Sequence, residues 1–309
     1  MNEKILMGGT DLPLVWTAEN LRAAGLSGAV VTKEDILAFP ERYRDTRYLF
    51  STWGMPAFRE DEIRRCLPSL RAVFYAAGSV QSFAAPFLDA GVAVFSARAA
   101  NAVPVAEYTA AQILLANKGF FRPCRSLARG TDWTSARALS RQYLGNYGAT
   151  VGIIGCGLIG HLVIERLLRD RLHVLVSDAF LTAEQLHALG AEKVTTEELF
   201  ARSDVVSNHL ANVPATVGML GGDLFASMKP NATFINTGRG ATVRQDELIA
   251  VLTARPDLCA LLDVTDPEPP APASPLLTLP NVFLTPHISG SQCSECARMG
   301  AFMAEEFRA

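Results

Sequence analysis

Residues 149–178 read ATVGIIGCGLIGHLVIERLLRDRLHVLVSD, and this stretch decides the fold. Val151, Ile153 and Ile154 form a short apolar run, Gly155-Cys156-Gly157-Leu158-Ile159-Gly160 follows, and Leu162, Val163, Leu167 and Leu168 recur at helical spacing before 174–178 resumes an apolar run. The pattern predicts one β-α-β unit with G-x-G-x-x-G at its strand-to-helix corner. Each glycine has its own reason to be there. Gly155 permits a tight turn, Gly157 lets backbone N–H groups approach a pyrophosphate, and Gly160 lets the helix pack close to the strand. An anion at such a corner meets a helix N-terminus, where unpaired N–H groups and the helix dipole favour negative charge. Asp178, 18 residues past Gly160, ends the second strand, where a carboxylate can accept from both hydroxyls of an adenine ribose. A 2′-phosphate there would meet like charge. The residues therefore point to NAD(H) in preference to NADP(H), with Gly155, Gly157, Leu158, Ile159, Gly160 and Asp178 as the cofactor corner.

At 309 residues the chain exceeds the usual size of one core, so two domains are expected. A hydrophobic content of 49% with 19% charged residues describes a soluble globular protein. The net charge of −3 gives no electrostatic footprint for nucleic acid or an anionic membrane. Residues 1–7 lack the apolar core of a secretory signal, and no run reaches the ~20 apolar residues of a membrane span. Six scattered cysteines suggest reduced thiols and a cytoplasmic location. Cys293 and Cys296 form a C-x-x-C in a predicted helix, but no second pair at zinc spacing accompanies them, so they read as incidental and no metal site is expected.

Outward from the glycine corner the alternation continues both ways. Toward the C-terminus, strands are predicted at 204–207, 232–236, 258–264 and 282–285 and a helix at 245–253. With the first two strands this makes six, the size of a complete two-halved dinucleotide fold. DPEPPAPASP at 266–275 reads as a surface loop, since a strand follows it. Toward the N-terminus, 4–7, 29–32, 48–52, 72–77 and 93–97 read as buried parallel strands separated by amphipathic stretches such as 60–66. That third is a second doubly wound α/β domain without the glycine fingerprint. Gly78 and Ser79 follow its fourth strand and either hold a small carboxylate on their backbone N–H groups or form an ordinary turn. Residues 101–118 predict a long helix with Pro104 in its first turn, where a missing N–H costs nothing. Glu107 reads as a structural carboxylate near the start of that helix. Arg122, Arg125, Arg129, Arg137 and Arg141 share their region with Phe120, Phe121, Trp133 and Tyr143, and read as an irregular arm packed on a neighbour rather than as a basic ligand patch.

Polar groups close several strands of the glycine-corner domain. Asn236-Thr237-Gly238-Arg239-Gly240 follows the fourth, Asp263 lies near the end of the fifth, Glu268 begins the loop beyond it, and Pro286-His287 follows the sixth. Ligands of doubly wound sheets bind beyond the strands' C-terminal ends, so these four ionisable groups can converge at the nicotinamide end of the crevice.

Through GIIGCGLIG, HLANVPAT, FINTGRG, LLDVTDPEPP and LTPHISG, in order and at spacing, the chain resembles the D-isomer-specific 2-hydroxyacid dehydrogenase family. AANAVPVAEYTAAQILLA extends the resemblance, which covers about 76–300. It implies an α/β architecture of two doubly wound parallel-sheet domains, with a Rossmann cofactor domain at 100–288 inserted in a flavodoxin-like substrate domain made of 1–99 and the tail 289–309. It implies a homodimer held by the helix from 101 and the arm after it. Residue by residue, it implies Arg239 as the substrate-binding arginine, Glu268 as the carboxylate partner and His287 as the acid/base. Asp263 would hold the nicotinamide carboxamide, and Leu210, Thr237 and Gly290 would line the cofactor cleft. Ala211-Asn212 and SGSQCSE depart from the family's usual residues, and the chain stops at Ala309 earlier than many relatives.

The implied chemistry is reduction of a small 2-keto acid to the D-2-hydroxy acid. It needs a hydride at C2, a proton for the carbonyl oxygen and a fixed carboxylate. Arg239 can grip the carboxylate bidentately, His287 can donate the proton, and Glu268 on its other ring nitrogen can orient it. The alternative is an NAD-sensing, corepressor-like regulatory protein of the same fold. The complete catalytic set and the lack of an evident peptide-binding extension favour the enzyme. The preferred acid is not legible. It would be set by loops near 51–55 and 75–80, where Trp53 either walls the substrate or packs in the core.

Overall fold

The computed structural model describes residues 3–309. Met1 and Asn2, which open both the predicted N-terminal domain and the segment read for a signal, lie outside the described residues. The chain divides into two compact units, one running to Ala102 and resuming at Ser291–Ala309, the other Val103–Gly290. The sequence places these crossings at 99–100 and 288–289. No loop marks the first of them, because one continuous helix, Arg98–Asn117, runs across it.

The inserted unit carries β6 (Thr150–Ile154), β7 (His173–Ser177), β8 (Glu192–Lys193), β9 (Val205–Asn208), β10 (Thr233–Asn236), β11 (Cys259–Leu262) and β12 (Val282–Leu284), and the discontinuous unit β1 (Lys4–Met7), β2 (Val30–Val31), β3 (Tyr48–Ser51), β4 (Ala72–Tyr75) and β5 (Ala93–Ser96). The larger sheet runs β12-β11-β10-β9-β6-β7-β8 and the smaller β2-β1-β3-β4-β5. All pairs are parallel. These are the doubly wound dinucleotide order, extended by one strand, and the flavodoxin-like order. Seven strands stand where six are expected. The extra one, β8, is two residues at a sheet edge and too short to show any alternation.

Both faces of the larger sheet are buried, which is why its strands read as continuous apolar runs. Val151, Ile153, Val174, Val176, Ile235 and Leu261 point into one cluster with Ile164 and Ile113, whereas Ile154, Leu175, Phe234 and Leu262 point into the other with Phe200, Phe225 and Leu248. In the smaller sheet, Leu6, Phe50 and Phe74 face a cluster completed by Met299 and Met303 from the C-terminal helix Cys296–Arg308.

Two local expectations need correction. The long helix starts at Arg98, so Pro104 lies in its interior rather than its first turn. Its start is marked by Ser96, whose Oγ accepts from the Arg98 N–H at 3.2 Å. The arginine-rich arm is regular, formed by helices Phe121–Ala128 and Trp133–Ser140. Asp132 caps the second by accepting from Ser135 N at 3.0 Å. Arg122 donates to Tyr143 Oη, Asn231 Oδ1 and the Asp257 carbonyl, which ties the arm to its own unit.

Candidate active site

The glycine corner has the geometry that its three residues predict. Gly155 sits at φ +81°, in the left-handed region that favours glycine. A Cβ on Gly160 would stand 2.3 Å from the Gly155 carbonyl oxygen, so any side chain there would push the helix off the strand. A Cβ on Gly157 would meet nothing within 4 Å, leaving open space over the start of the helix Leu158–Leu167. No side chain caps that helix and no acidic residue occupies its first turn. The corner thus fits an anionic pyrophosphate. Leu158 is exposed and Ile159 half-buried beside it. Burial, and behind it the Asp178 carboxylate, push the Cys156 thiol up to about 11, which keeps it neutral.

Asp178 stands one residue past β7. Its Oδ2 accepts from Cys156 N at 2.8 Å, and its Oδ1 from Phe180 N at 2.8 Å and Leu181 N at 2.9 Å. Burial works against the charge, but the three N–H donors outweigh it and hold the carboxyl below its ordinary value. Three of roughly four acceptor positions are thereby used within the chain.

Strand register brings the remaining polar groups to one rim. Asn208 pairs with Ile154 and Asn236, Asn236 with Leu262, and Leu262 with Leu284, so β6, β9, β10, β11 and β12 end in line. Asp263 follows β11 and is 3% exposed. Its Oδ1 accepts from Thr285 Oγ1 at 2.6 Å and Ile288 N at 2.9 Å, and its Oδ2 from Ser289 N at 2.9 Å. This buried carboxylate therefore shapes the turn that carries His287. His287 itself is held at φ +53°, a conformation costing a non-glycine residue about 1–2 kcal/mol, with its N–H shared between the carbonyls of Asp263 and Thr285. Its Nδ1 lies 2.7 Å from Glu268 Oε1, and both side chains are partly open to solvent.

Arg239 is exposed after β10, with Nη1 donating to the Gly238 carbonyl at 2.6 Å. Among the described residues no hydrogen bond joins it to the His287–Glu268 pair. A Cβ on Gly240 would lie 2.0 Å from the Thr265 carbonyl oxygen, so the Arg239 loop packs directly on the segment leading to Glu268. Leu210 N donates to Asn208 Oδ1 at 3.1 Å, the buried Thr237 hydroxyl meets Thr109 Oγ1 at 2.9 Å, and Gly290 is half-buried next to Ser289. Gly78 and Ser79 belong to the discontinuous unit, after β4. The Gly78 carbonyl accepts from Ser96 Oγ at 2.6 Å, and Ser79 is exposed. Trp53 packs, half-buried, against both apolar clusters of that unit. Glu107 pairs with Arg166 at 3.3 Å.

Several polar residues of this rim are not singled out by the sequence reading. Asn208 Nδ2 donates to Asn236 Oδ1 at 3.1 Å and Thr242 Oγ1 at 2.8 Å, and Asn236 Oδ1 also accepts from Gly238 N, so a buried amide network sets the loops after β9 and β10. Tyr108 Oη lies 3.1 Å from Thr285 Oγ1 and reaches the Asp263 cluster through it. His209 Nε2 lies 2.9 Å from Ser207 Oγ, whereas its buried Nδ1 has no partner among the described residues, and burial pushes its pKa down to about 4. The visible signal was an asparagine closing each of two adjacent apolar strands, in SNHL and FINT.

Residues 111–289 match the family model described as D-isomer specific 2-hydroxyacid dehydrogenase, NAD binding domain. The chain belongs to this family. Among curated 2-hydroxyacid dehydrogenase relatives, it is 32% identical to a D-3-phosphoglycerate dehydrogenase of Archaeoglobus fulgidus over 216 residues, 70% of this chain and 40% of that protein. It is 40% identical to the human glyoxylate reductase/hydroxypyruvate reductase over 178 residues, 54% of this chain and 53% of that one. The matched region is thus about two fifths to one half of those relatives' length. The holo form of Rhodotorula graminis D-mandelate dehydrogenase shares the fold, with a TM-score of 0.80 at 24% identity over 98% of this chain and 92% of that one. No helix among the described residues is long and apolar enough to cross a membrane.

Proposed function

We propose that this 2-hydroxyacid dehydrogenase reduces a small 2-keto acid to the D-2-hydroxy acid with NADH, reversibly, as a cytoplasmic homodimer. The observation that carries the reading is the 2.7 Å contact between His287 Nδ1 and Glu268 Oε1, on the same strand-end rim as the glycine corner. The corner Gly155–Gly160 and Asp178 would hold the dinucleotide, with Leu210, Thr237, Asp263 and Gly290 along its nicotinamide half. The nicotinamide, when bound, supplies the hydride for C2 of the keto acid. Glu268 on Nδ1 fixes the ring so that Nε2 faces the substrate. His287 then donates a proton from Nε2 to the carbonyl oxygen, and in the oxidative direction takes it back. Arg239 binds the substrate carboxylate. The Asp178 carboxylate repels a 2′-phosphate, which favours NADH over NADPH.

The test is NADH oxidation, followed by absorbance, with glyoxylate, hydroxypyruvate, pyruvate and branched or aromatic 2-keto acids, on the natural chain and His287→Ala. The reading expects turnover with at least one acid, lowered ~10²-fold or more in the variant at unchanged NADH affinity. Silence across the panel with intact NADH binding would favour a nucleotide-sensing role instead.

A further inference from the structure

The pair Cys293 and Cys296 is not used by the dehydrogenase chemistry, and its surroundings are unlike those of the other cysteines. Cys293 opens a short turn, Cys293–Glu295, and Cys296 begins the 13-residue helix Cys296–Arg308. The Cys296 N–H donates to the Cys293 carbonyl, closing a four-residue turn. Such a turn keeps its first and last Cα atoms within ~7 Å, which overlaps the ~4.4–6.8 Å span of disulfides. Gln292 N, donating to Glu295 Oε2 at 2.9 Å, braces the turn from outside.

The two thiols differ in access. Cys293 is exposed and held at φ +46°, whereas Cys296 is 3% exposed within the apolar cluster of Phe50, Phe74, Met299 and Met303. Burial holds the Cys296 thiol up, so it does not react first. Cys66, Cys156 and Cys259 are buried, and Cys124 is exposed but the only cysteine in its helix.

We propose that Cys293 and Cys296 form a reversible thiol–disulfide modification site, with Cys293 as the attacking thiol and Cys296 as the resolving one. The oxidant is a low-molecular-weight disulfide. The Cys293 thiolate attacks one of its sulfurs, forming a mixed disulfide and releasing one thiol; the Cys296 thiolate then attacks Cys293 Sγ, forming the internal bond and releasing the second. Two protein thiols are oxidised and one external disulfide is reduced to two thiols. The proton that Cys296 Sγ directs at the Ser291 carbonyl, 3.6 Å away, is given up, and with it that contact one residue beyond Gly290.

The experiment incubates the full chain with oxidised glutathione, alkylates the remaining thiols after unfolding, and maps the peptides by mass spectrometry. The expected result is a peptide carrying both cysteines, two hydrogens lighter and unalkylated, restored by dithiothreitol, while Cys124 carries at most glutathione. Cys296→Ser should stop at glutathione on Cys293. If that core substitution prevents folding, Cys293→Ser takes its place and should leave Cys296 fully alkylatable. Stable glutathione on Cys293 of the natural chain with Cys296 alkylated, or both thiols unreacted while Cys124 is modified, would overturn the proposal.

Discussion

The two units are built alike and end differently. Each is a doubly wound parallel sheet covered on both faces, with its chain reversal near the middle of the strand order. At the strand ends of the discontinuous unit stand hydroxyls spent on nearby carbonyls: that of buried Thr52 on Ala76 at 3.0 Å, and that of half-buried Ser96 on Gly78. At the corresponding ends of the inserted unit stand a buried carboxylate, two buried amides and a histidine paired with a glutamate. The scaffold is common to both, so the difference in chemistry lies in the last residue or two of each strand.

That contrast can be broken by substitution at equivalent ends. Asp263→Ala would orphan the N–H groups of Ile288 and Ser289 and leave Thr285 Oγ1 with Tyr108 alone, and should cost about 3 kcal/mol. Ser96→Ala in the other unit should cost about 1 kcal/mol. Urea unfolding of both variants checks this, and equal losses would erase the distinction.

A comparable but pH-dependent effect is expected at His209. Its folded pKa of about 4 lies below the ordinary 6.5, so the unfolded chain binds the proton more readily between those values. The stabilisation is full above about pH 6.5 and is lost as pH falls toward 4, by at most ~3 kcal/mol. Urea midpoints taken between pH 7 and 4 should fall less steeply in His209→Gln. An unchanged slope would mean that this ring does not titrate with unfolding.

An effect smaller than those at Asp263 and His209 is expected at the cofactor corner. On the proposed reading, Asp178→Ala removes the charge that would face a 2′-phosphate and should shift the NADH-to-NADPH affinity ratio toward NADPH about tenfold, ~1.4 kcal/mol. Fluorescence titration with both nucleotides measures the ratio, and a ratio equal to that of the natural chain would show that other groups set it.

Much of this organisation was legible because its signals are local. The glycine corner and the apolar strands each sit in a contiguous motif, and the motifs carrying Glu268 and His287 bring those two side chains together. What was not legible depends on partners far along the chain. Asp263 organises the His287 turn through contacts 22 to 26 residues away, and Asn208 meets Thr242 across 34. Pro104 suggested a helix start at 101 because proline is tolerated in a first turn, but the helix begins three residues earlier, at Arg98, whose N–H Ser96 accepts. The arm helices were hidden by their arginines, of which Arg122 and Arg125 donate to carbonyls such as those of Asp257 and Leu279.

The central claim is that His287 and Glu268 act as one unit in proton transfer, and a double-mutant cycle tests it most directly. With the best keto acid, kcat/KM would be measured for the natural chain, His287→Asn, Glu268→Gln and the double variant. The double variant should be about as slow as His287→Asn alone, since Glu268 acts through the ring that this substitution removes. Losses that multiply in full would contradict it.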